Sequence, residues 1–173
     1  KQTFYLGMGI DRTLSSIVLL AANTSNEDIV KIVSKAPEKI FRSPVGKKGP
    51  TKKQALQIID VLNLNEQTAN NFHKFIIAMY KTFINNDAIM VEINPAGIFN
   101  KTDIIALDAK IILDDKALFR HQDNLPLKDN DNLLPAIIKA SRYGFSYQEY
   151  SGNIGCIVNG EGLTWAMKSL NAA

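Results

Sequence analysis

The chain has 173 residues, enough for one ordinary domain or for one domain and part of a second. Apolar residues make up 46% of it and charged residues 21%, which is typical of a globular protein and excludes a disordered or collagen-like chain. The net charge of +3 is too small to indicate nucleic-acid binding by itself.

No apolar run reaches the roughly 18–20 residues that a membrane-spanning helix needs. The N-terminal stretch KQTFYLGMGID lacks the charged, apolar and small-residue zones of a signal peptide. We therefore expect a soluble protein with neither a membrane nor a nucleic-acid partner. The chain does not begin with Met, which fits a processed product or an excised piece, so the absence of a motif says nothing about function.

The single cysteine, Cys156, lies in the apolar run NIGCIVNG, where we expect a small buried side chain and not a nucleophile or a metal ligand. One cysteine forms no internal disulfide, which agrees with a reducing compartment. The sequence contains no internal repeat and no low-complexity tract.

The first predicted element is a β-hairpin. Residues 2–10 and 15–22 are rich in aromatic and branched side chains, and a turn at Asp11–Leu14 separates them. A capping box at Ser25–Asp28 then predicts a short helix that ends at about Ala36, just before a proline.

Residues 38–43 are predicted to form a further strand. The next segment, 44–53 (PVGKKGPTKK), combines two prolines, two glycines and four lysines, which predicts an exposed loop. A phosphate-binding role for this basic loop is the alternative, although no aromatic residue stands between its lysines.

Two helices follow. A second capping box, formed by Thr51 and Gln54, predicts a helix to about Leu62. From residue 65 to 84, apolar residues recur every three or four positions, which predicts a long helix with one buried stripe. His73 lies on the flank of that stripe without a second ligand at metal-binding spacing, so we expect it to be structural. The stripe consists of Ala69, Phe72, Phe75, Ile76, Met79, Tyr80 and Phe83.

The segment VEINPAGIFNKTDIIALDAK predicts two apolar strands that carry polar side chains. Because side chains alternate between the two faces of a strand, Glu92 and Asn94 share one face of the first strand. Asp108 and Lys110 share one face of the second. A turn centred near Lys101 places Asn94 opposite Asp108. The same turn places Glu92 opposite Lys110. The four polar side chains then form one patch.

This patch has the chemistry of a magnesium site. Mg²⁺ usually takes one or two carboxylates from a protein, and phosphates and water complete its octahedron. Asn94 and Asp108 are the candidate ligands. Glu92 is a candidate for orienting a reacting group, and Lys110 for neutralising charge. The alternative is a solvated sheet face whose Glu–Lys pair contributes only a few tenths of a kcal/mol, and spacing alone does not separate the two. Pro95 favours a site, since prolines fall at strand edges or bulges, where side chains are redirected.

The C-terminal third predicts a linker followed by mixed elements. Charged residues and Asn dominate after residue 121, and a helix is predicted over 133–144, where Gly144 can end it. FSYQEY alternates as a strand does, and NIGCIVNGEGLTWAMKSL predicts a strand, a glycine loop and a helix.

Five motifs in this order and at these spacings resemble one enzyme family. YLGMGIDR stands near the start, EINP is followed by LDAK and DDKALFRH, and GNIGCIVNG comes last. Over essentially the whole chain, the sequence resembles the β subunit of succinyl-CoA synthetase, the ADP- or GDP-forming succinate–CoA ligase. The resemblance implies a heteromeric enzyme of the tricarboxylic acid cycle, located in the bacterial cytoplasm or the mitochondrial matrix.

The resemblance also implies an α+β fold. In that family, an ATP-grasp domain precedes a flavodoxin-like CoA-ligase domain. Residues 1–121 would form the C-terminal subdomain of the ATP-grasp domain, an antiparallel sheet with helices. Residues 122–144 would be a linker or docking segment, and residues 145–173 the first β-loop-α unit of an incomplete CoA-ligase domain. Because half of the nucleotide site would lie elsewhere, we expect this piece to be inactive alone.

Roles for single residues follow from the same resemblance. Asn94 and Asp108 would bind the Mg²⁺ of ATP or GTP, and Glu92 would meet the phosphohistidine of the α subunit. Asn159 and Gly160 would hold the carboxylate of succinate or a related dicarboxylate. The α subunit would supply the phosphorylated histidine and the CoA site, so neither histidine of this chain is a candidate for that role.

One departure from the family concerns the substrate loop. The loop usually written VNGAG is here VNGEG, with Glu161 in its fourth position, and Trp165 follows. A carboxylate within roughly 6 Å of a bound carboxylate repels it by about 3 kcal/mol at an effective dielectric constant of about 20. This predicts altered acid specificity or weakened turnover, whereas a Glu161 side chain that faces solvent predicts neither.

Three alternatives remain open. A malate–CoA ligase and an ATP-citrate-lyase-like enzyme share the EINP and NGxG features. A non-catalytic nucleotide-binding or α-subunit docking module is the alternative outside enzymes, and the altered substrate loop favours it.

Overall fold

The computed structural model describes residues 3–24, 29–127 and 134–171. The chain divides into two compact units, Lys1–Pro126 and Leu127–Ala173. The strands are β1 (Thr3–Asp11), β2 (Ser16–Asn23), β3 (Phe41–Val45), β4 (Ala88–Phe99), β5 (Asp103–Ala106) and β6 (Ala109–Leu113). The helices are α1 (Ile29–Lys35), α2 (Lys52–Val61), α3 (Ala69–Asn85), α4 (Pro135–Ser141) and α5 (Glu161–Asn171). Four 3₁₀ turns cover Pro37–Lys39, Glu66–Thr68, Asp115–Arg120 and Gln122–Leu127.

The first unit is built on a six-stranded antiparallel sheet, which confirms the predicted α+β class. The sheet runs β3-β2-β1-β4, and the long strand β4 pairs with both β5 and β6 along its outer side. The predicted hairpin is β1 and β2, with Asp11 opposite Ser16. The Asp11 carboxylate accepts the main-chain N–H groups of Thr13 (2.9 Å) and Leu14 (3.1 Å), which holds the turn.

The core lies between the sheet and the helices α2 and α3. On β1, Phe4, Leu6 and Met8 are at most 1% exposed, and their side chains share one face because strand side chains alternate. The Phe4 and Phe72 rings lie 6.0 Å apart, which joins β1 to α3. The predicted apolar stripe of α3 is confirmed. Its buried members are Phe72, Ile76, Met79 and Phe83.

The capping box predicted for α2 is confirmed. The Thr51 hydroxyl accepts the Gln54 N–H at 3.2 Å, and Gln54 Oε1 accepts the Thr51 N–H at 2.9 Å. The same Gln54 side chain is buried and donates through Nε2 to Ser43 Oγ (2.8 Å) and Pro44 O (2.9 Å). One glutamine therefore starts α2 and ties it to β3.

The segment between β2 and β3 matches the prediction in part. Helix α1 ends at Lys35, two residues before Pro37, as predicted. The capping box at Ser25–Asp28 lies outside the described residues. The strand predicted at 38–43 is shifted toward the C-terminus and forms β3.

The basic loop is less exposed than predicted. Its lysines are exposed, but Val45, Gly49 and Pro50 are buried, which corrects the prediction for these three residues. The Tyr80 hydroxyl donates to Lys47 O at 3.1 Å, and His73 Nε2 lies 3.2 Å from Pro50 O. Gly49 has a φ of +90°, and a Cβ atom there would lie 3.0 Å from the Tyr80 ring. Side chains of α3 therefore cover the loop, which local composition does not reveal.

The second unit contains α4 and α5. Helix α4 ends at Ser141, short of the predicted end at residue 144, and Gly144, whose φ is +74°, caps its C-terminus. The Gly144 N–H donates to Ser141 O (3.0 Å) and the Phe145 N–H to Ala140 O (3.0 Å), the pattern of a Schellman motif. Nowhere in the described residues is a helix both long and apolar enough to cross a bilayer.

Two strands predicted in the second unit were wrong. Residues 145–150 and 154–158 have no regular secondary structure, and Ile154 and Ile157 are 77% and 100% exposed. The predicted burial of Cys156 was also wrong, since its side chain is exposed. A strand needs a neighbour for its N–H and C=O groups, and residues 134–171 include no strand that could pair with these segments.

Candidate functional site

The candidate site begins at an irregularity in β4. Strand β1 pairs with β4 so that Gly7 faces Glu92 and Leu6 faces Ile93, but Phe4 faces Ala96. Residues 94 and 95 together therefore lie opposite one residue of β1, which is a β-bulge. The prediction that the proline of EINP falls at an edge or a bulge is confirmed.

The predicted pairing register of β4 with the following chain is also confirmed. Phe99 faces Asp103 across a turn centred at Lys101. Glu92 faces Lys110 on β6. Between these points, the Asn94 N–H donates to the main-chain oxygen of Asp108 at 3.2 Å. Residues directly opposite in an antiparallel pair project from the same face.

The second strand, predicted to be continuous, bends at residues 107–108 and is divided into β5 and β6. The Leu107 N–H donates to Pro95 O at 3.0 Å, so the bend lies across from the bulge. The Asp108 side chain is exposed, and its Oδ1 accepts the Ala109 N–H at 2.9 Å. Two backbone irregularities therefore face each other where Asn94 and Asp108 meet.

Glu92 lies on the sheet face that points away from the core. Its neighbours Val91 and Ile93 are 3% and 6% exposed and belong to the core, so the alternation places Glu92 on the outer face. Glu92 is partly buried. Its cross-strand partner Lys110 is exposed. The structure thus separates an apolar inner face of β4 from a polar outer one.

Tyr5 shares this outer face, and sequence reasoning missed it. The Tyr5 side chain lies over Gly7, the residue directly opposite Glu92. Burial, followed by the negative charge of Glu92, raises the pKa of the Tyr5 hydroxyl to about 12. The available signal was the alternation Tyr5-x-Gly7-x-Gly9, which places two glycines on the same strand face as the tyrosine.

The predicted metal ligands are a carboxylate and an amide. Within the described residues, no three His, Cys, Asp or Glu side chains are grouped so that they could hold a metal ion. A single carboxylate with one amide oxygen matches Mg²⁺ bound together with nucleotide phosphates, since that ion takes few protein ligands. The donor chemistry of Asn94 and Asp108 therefore fits Mg²⁺.

Asn159 and Gly160 belong to the second unit. They precede α5, and Gly160 has a φ of +100°, a backbone conformation that favours glycine. The Gly160 carbonyl accepts the Thr164 N–H (3.2 Å) and the Thr164 hydroxyl (3.0 Å), which anchors the loop to the helix. Asn159 is exposed.

A second polar cluster joins Asp87, Arg120 and His121. Asp87 stands in the turn between α3 and β4, and its carboxylate accepts two hydrogen bonds from Arg120, at 2.6 and 2.5 Å. His121 Nε2 lies 2.5 Å from the same carboxylate. The hydrogen bonds of Arg120 and then of His121 lower the pKa of Asp87 to about 2, and Asp87 in turn raises the pKa of Arg120. The cluster ties the 3₁₀ turn after β6 to the start of β4.

Comparison with known proteins shows the family of the chain. Residues 1–98 match the sequence family of the ATP-grasp domain, so the chain belongs to the ATP-grasp family. More closely, it is a homologue of the β subunit of ADP-forming succinate–CoA ligase. That subunit from Staphylococcus haemolyticus (strain JCSC1435) is 39% identical over 173 residues, which are 99% of this chain and 45% of that protein. The subunit from Staphylococcus aureus (strain JH9) has the same identity and the same coverage.

The chain thus spans less than half the length of these relatives. Among solved structures, ATP citrate lyase from Methanothrix soehngenii, in complex with citrate and coenzyme A, is similar with a TM-score of 0.51 and 17% identity. That similarity covers 75% of this chain and 28% of the lyase, and it concerns the fold alone.

Proposed function

We propose that this chain is part of the β subunit of a magnesium-dependent succinate–CoA ligase. The enzyme would use ATP or GTP to phosphorylate a histidine of an α subunit and would use that phosphoryl group to form succinyl-CoA. The observation that carries the proposal is the meeting of Asn94 and Asp108 at the facing bulge and bend, two residues along the strands from Glu92 and Lys110.

Phosphoryl transfer needs positioning and electrostatic stabilisation more than covalent help from the protein. Asn94 and Asp108 would hold Mg²⁺, which neutralises and orients nucleotide phosphates when it is bound. The Glu92 carboxylate can accept an N–H from the imidazole of the α subunit, which would orient the other ring nitrogen toward the phosphorus. Lys110, opposite Glu92, adds positive charge on the same face.

The loop of the second unit would bind the acid. Gly160 adopts a positive φ and has no side chain that could obstruct a ligand. Asn159 offers an amide donor to a carboxylate. We propose that residues 1–121 form the nucleotide-binding part, residues 122–144 a docking segment, and residues 145–173 the start of the CoA-ligase domain.

The test is histidine phosphorylation in the intact complex. Full-length β protein with its α partner should acquire acid-labile phosphate from Mg-ATP or Mg-GTP, and Glu92→Gln should slow this at least tenfold. Glu66→Gln is the matched control, because Glu66 lies in the 3₁₀ turn before α3. A wild-type complex that binds Mg-nucleotide but never phosphorylates the histidine would contradict the proposal and favour a non-catalytic module.

The acid is tested in the same complex. Thioester formation with CoA should be fastest with succinate when succinate, malate and citrate are compared at equal concentration. A clear preference for malate or citrate would reassign the chain to a malate–CoA ligase or to an ATP-citrate-lyase-like enzyme.

A further inference from the structure

Tyr5 occupies a special position in the sheet. It is the residue of β1 that faces the bulge formed by Asn94 and Pro95. Its neighbours Phe4 and Leu6 are 1% and 0% exposed and belong to the core, so the Tyr5 side chain lies on the outer face. The proposed metal ligand Asn94 and Tyr5 are therefore adjacent across the strand pair.

The Tyr5 side chain leans along the strand over Gly7. A Cβ atom on Gly7 would lie 2.5 Å from the tyrosine oxygen and 2.9 Å from a ring carbon, distances that real Cβ atoms essentially never show, and 3.0 Å from a second ring carbon. A Cβ atom on Gly9 would meet only the Ile89 carbonyl oxygen, at an ordinary 3.7 Å. Gly7 is thus the residue that permits the position of the tyrosine, and Gly9 has no such role.

This position carries the hydroxyl toward Glu92. Gly7 faces Glu92 directly, and the carboxylate acts electrostatically on the hydroxyl above Gly7. A tyrosine hydroxyl is protonated at neutral pH and can donate a hydrogen bond. The described residues offer this hydroxyl no hydrogen-bond partner, and the side chain is partly exposed.

A phosphoryl group that approaches Glu92 meets a carboxylate of like charge. A neutral O–H donor beside that carboxylate offsets the repulsion without adding charge, and hydrogen bonds to charged acceptors are the stronger class. Tyr5 meets this requirement by its position over Gly7, opposite Glu92. We infer that Tyr5 is a phosphoryl-binding residue, whose hydroxyl donates a hydrogen bond to an oxygen of the phosphoryl group passing between nucleotide and histidine. The inference rests on the proposed function.

The test is Tyr5→Phe in the intact αβ complex, which removes only the oxygen. Single-turnover phosphorylation of the α-subunit histidine from Mg-ATP should slow about tenfold, the factor that typically follows loss of a hydrogen bond to a charged group. The discharge of preformed phosphohistidine by succinate and CoA should keep its rate. Tyr80→Phe is the matched control, because that hydroxyl only bonds Lys47 O in the loop, and it should change neither rate.

A second variant changes the position of the Tyr5 side chain and retains its hydroxyl. Gly7→Ala should displace the flexible tyrosine side chain and slow the same half-reaction, whereas Gly9→Ala should not. Unchanged phosphorylation in Tyr5→Phe, or equal slowing of both half-reactions, would overturn the inference. If the wild-type complex never phosphorylates the histidine, the proposed function fails. If the wild-type complex phosphorylates the histidine and the variants do so at the same rate, only the role of Tyr5 fails.

Discussion

The main-chain N–H of Asn94 donates a hydrogen bond of 3.2 Å to the carbonyl oxygen of Asp108. This bond joins β4 to the bend between β5 and β6, at the point where neither strand is regular. Because the main chain holds the two residues opposite each other, their side-chain oxygens need not bond to one another. Under the proposed function, these oxygens would share one cation.

Asp108→Asn should weaken magnesium binding. The substitution preserves shape but removes the only formal charge that this residue pair offers to the ion. We expect full-length protein to need at least tenfold more Mg²⁺ for nucleotide binding, measured by titration calorimetry. Asp103→Asn is the control, because Asp103 lies on β5 and its Oδ1 accepts the Asn71 amide at 3.1 Å. An unchanged magnesium requirement in Asp108→Asn would remove the residue from the site.

Stability should fall in acid because of Asp87. Hydrogen bonds from Arg120 and His121 lower its pKa to about 2, whereas an unfolded chain has an aspartate pKa of about 3.9. The folded state therefore gains stability above about pH 4, and this gain disappears as the pH falls toward 2. Urea unfolding between pH 5 and pH 2 should show the loss in the wild type and a smaller loss in Asp87→Asn. Asp60→Asn, an exposed acid on α2, should follow the wild type.

The capping box of α2 should contribute measurably to stability. Thr51→Ala removes the acceptor of the Gln54 N–H and should lower the free energy of unfolding by about 1 kcal/mol. Thr51→Ser keeps the hydroxyl and should retain most of the stability. Urea midpoints of the three proteins measure the effect, and equal midpoints for Thr51→Ala and wild type would mean that the cap is dispensable.

The core should depend strongly on Phe72. Its side chain is 0% exposed and packs against Phe4, so Phe72→Ala should cost about 3–5 kcal/mol through lost burial and a new cavity. Phe119 is 75% exposed, and Phe119→Ala should cost far less. Denaturant unfolding followed by circular dichroism compares them. Similar losses at the two positions would contradict this account of the core.

Glu161→Ala tests the departure in the substrate loop. If the Glu161 carboxylate lies near the bound acid, its removal should tighten succinate binding by up to about a hundredfold, because a repulsion of about 3 kcal/mol disappears. Equilibrium binding of succinate to the full-length complex measures the change. Glu149→Ala, at an exposed acid of the second unit, should have little effect. Equal affinities in Glu161→Ala and wild type would show that the carboxylate does not face the substrate.

Local rules predicted much of the first unit. A helix start depends on a few neighbouring residues, so Thr51 and Gln54 were sufficient to place the first turn of α2. A hairpin register depends on the position of its turn, so Lys101 was sufficient to place Glu92 opposite Lys110. The failures came where a neighbouring strand was needed, as for the strand predicted at residues 154–158, which have no regular secondary structure.

By itself, the sequence determined the approximate positions of α2 and α3 and the strand pairing of the two hairpins, because these depend on spacing along the chain. The cation ligands Asn94 and Asp108 are a proposal from the same spacing. Only the tertiary structure decided that Tyr5 lies over Gly7 beside Glu92, that Asp87 binds Arg120 and that Gly49 is buried under Tyr80. Such contacts join residues far apart in the chain, and the packing of strands and helices selects them, which no local pattern encodes.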